Sequence, residues 1–188
     1  MDKSLLFGKG LHRECYVHPR DEHKCIKIVV SGGMRETERE EAYYKRLAKR
    51  NISWAMLPRF YGTVRTDRGR GAVFELIRDD DGNISETLKY YLQNRKKEQP
   101  VPENLANMLH SSKAYLIREK IVTMTLKAKN IVIQRKADNK DKLVIIDNIG
   151  HDDFIPICDY MDFPAVRKIH RRWNRFEKSL QETYGYSF

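Results

Sequence analysis

Two short, wholly aliphatic runs, Ile131-Val132-Ile133 and Leu143-Val144-Ile145-Ile146, flank the polar stretch Arg135 to Lys142. Runs this short and this β-branched read as strands, and the polar insert turns the chain so that they pair as a hairpin. That pairing brings Asn130, just before the first run, beside Asp147, just after the second, about 5 Å apart in backbone terms. An amide oxygen meeting a carboxylate at a sheet end suits a hard cation, especially Mg²⁺ shared with phosphates. Asn130 and Asp147 are the expected metal ligands.

The first third alternates β-type runs with turns: Leu5 to Phe7, Cys15 to Val17 and Cys25 to Val30, an antiparallel meander. Ser31-Gly32-Gly33 breaks it, and Met34 to Lys49 has helical spacing of Ala, Tyr and Leu. Phe60 to Val64 and Ala72 to Ile77 are two more strands around the turn Thr66 to Arg70. Asp79-Asp80-Asp81-Gly82-Asn83 is a loop, taken as the boundary between a first lobe, 1–80, and a second, 81–188. Helices follow at Ser85 to Lys97 and Pro102 to Lys120, then the hairpin, an acidic loop from His151 to Pro164, and a basic helix from Ala165 to Leu180. The expected class is α+β.

Lys and Arg number 36 against 26 Asp and Glu, a formal charge of +10, so an anionic partner is expected: nucleotide, nucleic acid, phosphorylated substrate or acidic protein. No apolar run nears the roughly 18 residues of a membrane span, and Met1-Asp2-Lys3 leads straight into strand-like sequence, so a cytoplasmic protein without a transmembrane segment is expected. Cys15, Cys25 and Cys158 lack metal-ligand spacing and read as reduced, mostly buried thiols.

Lys27 shares one sheet face with Cys25 and Val29 by the period of two, a place where a lysine needs a partner. Glu40 lies three, four and seven residues before Tyr43, Tyr44 and Leu47, on or beside the apolar stripe of the following helix. Glu40 is the natural partner for Lys27; the alternative is a snorkelling edge lysine and a solvated glutamate. Gly8-Lys9-Gly10 lies between the first two strands, where backbone N–H groups reach phosphates, although Arg13 stands where a third glycine of such a loop belongs.

Through Gly8-Lys9-Gly10-Leu11-His12-Arg13-Glu14-Cys15-Tyr16, Cys25-Ile26-Lys27-Ile28-Val29, Ile121-Val122-Thr123-Met124-Thr125-Leu126-Lys127, Asn130-Ile131 and Asp147-Asn148-Ile149-Gly150, most of the chain resembles the protein kinase-like superfamily. It resembles more closely the bacterial YrbL family of PhoP-regulated proteins. The resemblance implies a two-lobed protein kinase-like fold, with an antiparallel β-sheet N-lobe carrying one helix and a minimal, mainly helical C-lobe. It implies ATP between the lobes, Lys27 on the α/β-phosphates held by Glu40, Mg²⁺ on Asn130 and Asp147, and adenine against the backbone near Glu75, Leu76 and Ile77. It also sets Lys127 at a kinase position that contacts the transferred phosphate, and it links the family to envelope or magnesium stress.

Ordinary kinases place an aspartate base five residues before the metal-binding asparagine, and here Thr125 stands there. A hydroxyl orients a nucleophile but does not take its proton as a carboxylate does; His151, Asp152 and Asp153 are the residues at hand for a substitute base. After Gly150 there is room for one loop and one helix, too little for peptide docking. In that helix Arg167, Lys168, Arg171, Arg172 and Arg175 accompany Trp173 and Phe176, a mix that suits phosphate backbones or acidic surfaces if the aromatics face outward. Three functions are therefore weighed: an atypical ATP-dependent phosphotransferase with an unknown phosphoacceptor, a nucleotide-binding pseudokinase that regulates a partner protein, and a basic nucleic-acid-binding module.

Overall fold

The computed structural model of the chain describes residues 1–94, 103–138, 140–150 and 162–186. Its class is α+β. The strands β1 (Leu6–Lys9), β2 (Arg13–His18), β3 (Asp21–Val29), β4 (Phe60–Thr66) and β5 (Gly69–Glu75) form one sheet, and α1 (Arg35–Lys49) links β3 to β4. The sheet order is β1-β2-β3-β5-β4, antiparallel throughout. Alternation along β3 sends Ile26 and Ile28 to the outer face, against Tyr16 and Val73, and sends Cys25 to the inner face, in one cluster with Tyr43, Tyr44 and Leu47 of α1. Outer-face packing is tight enough that Gly71 has no room for a side chain, since a Cβ there would lie 2.4 Å from Ile26 Cγ2.

In α1 the buried residues Thr37, Glu40, Glu41, Tyr44 and Leu47 recur at three- and four-residue spacing, the stripe that a helix lays on a sheet. Glu36 and Glu38 in its first turn and Arg46 and Lys49 in its last suit the helix dipole. Two of its buried residues are carboxylates. Glu41 is bonded bidentately by Arg70 of β5, and Glu40 turns toward the site described below.

The second half contains α2 (Leu88–Gln93), α3 (Leu105–Arg118), β6 (Ile131–Gln134), β7 (Lys142–Ile145) and α4 (Asp162–Tyr184). The expected hairpin is present, with Ile131 opposite Ile145 and Ile133 opposite Leu143. It is tied on both sides: Ile133 N–H donates to Glu86 O at 3.0 Å, and Ile145 N–H to Met56 O at 3.0 Å, in the connection from α1 to β4. The first tie explains why α2 starts at Leu88, capped by the Thr87 hydroxyl, and not at Ser85: the backbone of 85 and 86 is spent on Ile77 and the hairpin. Helix α3 stops before Lys120, whose φ of 52° is left-handed. At the other end α4 starts at Asp162, earlier than expected, because Pro164 falls in the first turn, where its missing N–H costs nothing. The expected loop His151 to Pro164 and the ends of the two preceding helices at 95–102 fall largely outside the described residues.

The loop Asp79–Asn83 is a tight turn, with Asp79 N–H on Asn83 O and Gly82 N–H on Asp79 O, both 2.9 Å. The largest hydrophobic cluster nevertheless runs past it, from Phe74 and Tyr44 through Leu88, Leu109 and Ile133 to Trp173 and Phe176 of α4. Among the described residues no helix is long and apolar enough to cross a membrane.

Candidate functional site

Register places the site. In the β2–β3 ladder Arg13 faces Val29, Cys15 faces Lys27 and Val17 faces Cys25, so Arg13 and Lys27 lie on the same inner face, diagonal neighbours. The hairpin brings its far end to meet them: Ile146 N–H donates to Asn130 O at 2.9 Å, which pairs Asn130 with the residue before Asp147. The expected closeness of Asn130 and Asp147 is therefore present, offset by one position.

Lys27 is 7% exposed. Its Nζ donates to Ile146 O at 2.5 Å, lies 3.6 Å from Asp147 Oδ1, and stands 4.5 Å from the centroid of the Phe74 ring. Arg13 forks between the carboxylates: Nη1 donates to Glu40 Oε2 at 2.6 Å and Nη2 to Asp147 Oδ1 at 2.5 Å. Glu40, 1% exposed, spends its other oxygen on Ile149 N–H at 3.2 Å. The expected Lys27–Glu40 pair is corrected accordingly: Glu40 is paired with Arg13, and Lys27 with Asp147. A guanidinium offers five donors in a rigid fork and spans two carboxylates, whereas an ammonium is a point charge that settles on the nearer one.

Burial pushes Lys27 down, yet Asp147 and then Glu40 outweigh it and the lysine ends above its ordinary value. Arg13 behaves alike, lowered by burial and raised further by Glu40 and Asp147. Both cations stay charged. Burial likewise raises the Cys25 thiol to about 12 and raises that of Cys15, so these two free cysteines stay protonated; Cys158 lies outside the described residues.

Two polar atoms at this floor are left over. Asn130 is 5% exposed and its Nδ2 has no partner; the Tyr44 hydroxyl is buried without one as well. Burial first, and then the Glu40 and Asp147 carboxylates, hold that phenol well above its ordinary value. Buried donors without acceptors are costly, and an orphan N–H₂ one residue from the hairpin's end suits an anionic oxygen, whereas a cation would be met by the Oδ1 of the same side chain.

The loop bearing Thr125 and Lys127 is fastened to the same framework. Val122 N–H donates to the Tyr43 hydroxyl of α1 at 2.9 Å, Met124 N–H to Asn148 O at 2.8 Å, and Gly150 N–H to Val122 O at 2.9 Å. Asn148 (φ 62°) and Gly150 (φ 124°) adopt the left-handed backbone that this turn needs. From there a single 3₁₀ turn, Ala128–Asn130, buries Asn130 and leaves Lys127 exposed, with Thr125 half-buried between.

Other expected positions are dispersed. Gly8 belongs to β1, opposite Cys15, so only Gly10 lies in the turn that was expected to hold both glycines. Near Glu75-Leu76-Ile77, the Glu75 and Leu76 N–H groups already donate to Arg59 O and His23 O; Ile77 N–H donates to no described backbone acceptor. These three residues line a cleft of about 460 Å³ with His23, Tyr61 and Arg78, but Lys27, Asn130 and Asp147 are not part of it. In α4, Trp173 and Phe176 are each 1% exposed and Lys168 is buried, so the aromatics expected beside the basic residues belong to the core and offer no stacking surface. His151, Asp152 and Asp153 lie outside the described residues. Among the described residues no three His, Cys, Asp or Glu side chains form a metal-holding cluster.

Arg13 is the residue whose role sequence reasoning missed. The period of two that placed Lys27 would have placed Arg13 too, had it been applied to β2.

Residues 1–181 match the model of a family described as PhoP regulatory network protein YrbL. The uncharacterized protein YrbL of Escherichia coli strain K12 is 40% identical over 172 residues, covering 90% of this chain and 81% of that relative. A protein of the same description from Shigella flexneri matches to the same extent.

Proposed function

The chain belongs to the PhoP regulatory network protein YrbL family, and from that premise we propose that it is a two-lobed, kinase-like protein that binds ATP with Mg²⁺. One observation carries the reading. A buried lysine on an inner strand lies 3.6 Å from Asp147 at the end of a hairpin, and the backbone of Asn130, whose buried amide nitrogen has no partner, pairs with the residue before that aspartate. The donor set fits the ligand: an amide and a carboxylate are hard oxygen donors, too few for a protein-only cage, so a cation there needs phosphate oxygens to complete its shell. Asn130 and Asp147 would hold Mg²⁺, and Lys27 would hold the phosphates. Gly10 and the backbone of Glu75 and Ile77 are the remaining contacts, with Gly8 behind them in the strand. Bound in this way, Mg·ATP supplies an activated phosphoryl group whose charge the metal partly neutralises.

Phosphoryl transfer depends mostly on positioning and charge, so Thr125 orienting an acceptor hydroxyl and the exposed Lys127 facing it suit an atypical phosphotransferase. Thr125 in the place of a carboxylate base also favours the second reading, a pseudokinase that regulates a partner through its nucleotide-bound state. The basic module loses its main support with Trp173 and Phe176 in the core.

Binding to the folded state raises apparent stability by about 2.7 kcal/mol at a hundredfold excess over Kd. Thermal unfolding should therefore shift upward with ATP in the presence of Mg²⁺, and the shift should vanish in Lys27→Ala and Asp147→Ala, each compared with its own ligand-free baseline. No shift in the wild type at millimolar Mg·ATP would sink the reading.

A further inference from the structure

Arg13 does something that the proposed nucleotide site does not require. It reaches Asp147 with one arm while the other holds Glu40, and Lys27 approaches the same aspartate oxygen. The four charges balance: two cations, Arg13 and Lys27, face two carboxylates, Glu40 and Asp147, with Glu40 also accepting from Ile149 N–H. A bare divalent ion at Asp147, itself a half-buried carboxylate, would add two positive charges beside two cations, one of them the buried Lys27.

Resting on the nucleotide reading, we propose that Arg13 is a specificity-determining internal cation: it occupies Asp147 until a polyphosphate arrives, so the site accepts a metal–nucleotide complex and rejects the free metal ion. The phosphates bring more negative charge than the ion brings positive, and they relieve both cations when Asp147 is given up. The Glu40 arm of the fork keeps Arg13 in place, and its freed arm meets phosphate oxygens, which a guanidinium grips well. The orphan amide of Asn130 meets the same ligand from the hairpin side.

Mn²⁺ binding to the nucleotide-free chain, read by electron paramagnetic resonance, tests this directly. Arg13→Met should bind Mn²⁺ about tenfold or more tighter than the wild type, within the usual range for coupled sites. The gain should disappear in Arg13→Met combined with Asp147→Asn. Equal affinities in wild type and Arg13→Met, or a gain that survives the loss of Asp147, overturn the proposal. Because Arg13→Met strips a buried carboxylate of its partner and can unfold the chain, the wild type supplies a second reading. Its Arg13 side-chain ¹⁵N resonance, assigned by its absence in Arg13→Lys, should move with Mg·ADP and stay put with millimolar Mg²⁺ alone; movement with Mg²⁺ alone overturns the proposal. A wild type that ignores Mg·ATP while Arg13→Met gains an Mn²⁺ site ends the nucleotide reading but leaves Arg13 masking Asp147. A wild type that binds Mg·ATP while Arg13→Met gains nothing does the reverse.

Discussion

At the level of single residues, Glu40 shows how a charge survives inside the molecule. Its carboxylate is 1% exposed, and both oxygens are used, one by a forked arginine and one by a backbone N–H. Removing one member of such a pair leaves the other charged and buried, which costs far more than the pair itself contributes. Glu40→Ala should therefore lose about 3–5 kcal/mol of unfolding free energy in urea titration, since Arg13 keeps only Asp147. A loss under about 1 kcal/mol, the level of an exposed pair, would show that water reaches the cluster. The sequence revealed this carboxylate, because its helical phase puts it on the stripe of Tyr44 and Leu47. It did not reveal the partner. Strand phase assigns Lys27 and Arg13 to one face, but which of two cations reaches which of two carboxylates depends on fork geometry and on a hairpin more than a hundred residues away.

Among the elements, α4 is the clearest case of a mixed helix resolved by packing. Ala165, Ile169, Trp173, Phe176 and Leu180 are buried at three- and four-residue steps, while Arg167, Arg171, Arg175 and Lys178 stay exposed. The Trp173 indole N–H donates to Glu177 Oε1 at 2.6 Å, one turn on. Trp173→Ala should cost about 3–5 kcal/mol by denaturant titration, as large aromatic truncations in cores do. Arg171→Ala, on the exposed face, should stay within about 0.5 kcal/mol of the wild type. Strand centres and helix cores were legible because alternation and the 3.6-residue period are written in the side chains. Ends were less so: β1 runs through Gly8 and Lys9, and α2 begins late, since both boundaries are set by pairing with distant backbone. In the site, the hairpin that joins Asn130 to Asp147 was legible for a local reason, as its two strands lie within one short stretch of chain.

Over the whole molecule, the continuity of the core governs behaviour. Residues from both sides of the Asp79–Asn83 turn share one hydrophobic cluster, and Ile145 N–H of the hairpin reaches back to Met56 O. The two halves should therefore unfold together. Trp54, stacked on Tyr44 at 6.1 Å, and Trp173 in α4 report on the two halves separately. Fluorescence of Trp54→Phe and of Trp173→Phe, each followed beside its own far-UV circular dichroism, should give coincident urea transitions for each variant. Separate transitions would mean that the first half is stable alone. The distances along the chain have a consequence for the protein as it is made. Arg13 meets Glu40 across 27 residues, but Asp147 only across 134. Three of the four strand contacts in the sheet are between neighbours in sequence, so the sheet and α1 can close while Asp147 is still unsynthesised. During that interval two cations share one carboxylate, and the nascent half carries an inner face one positive charge out of balance until the last quarter of the chain leaves the ribosome.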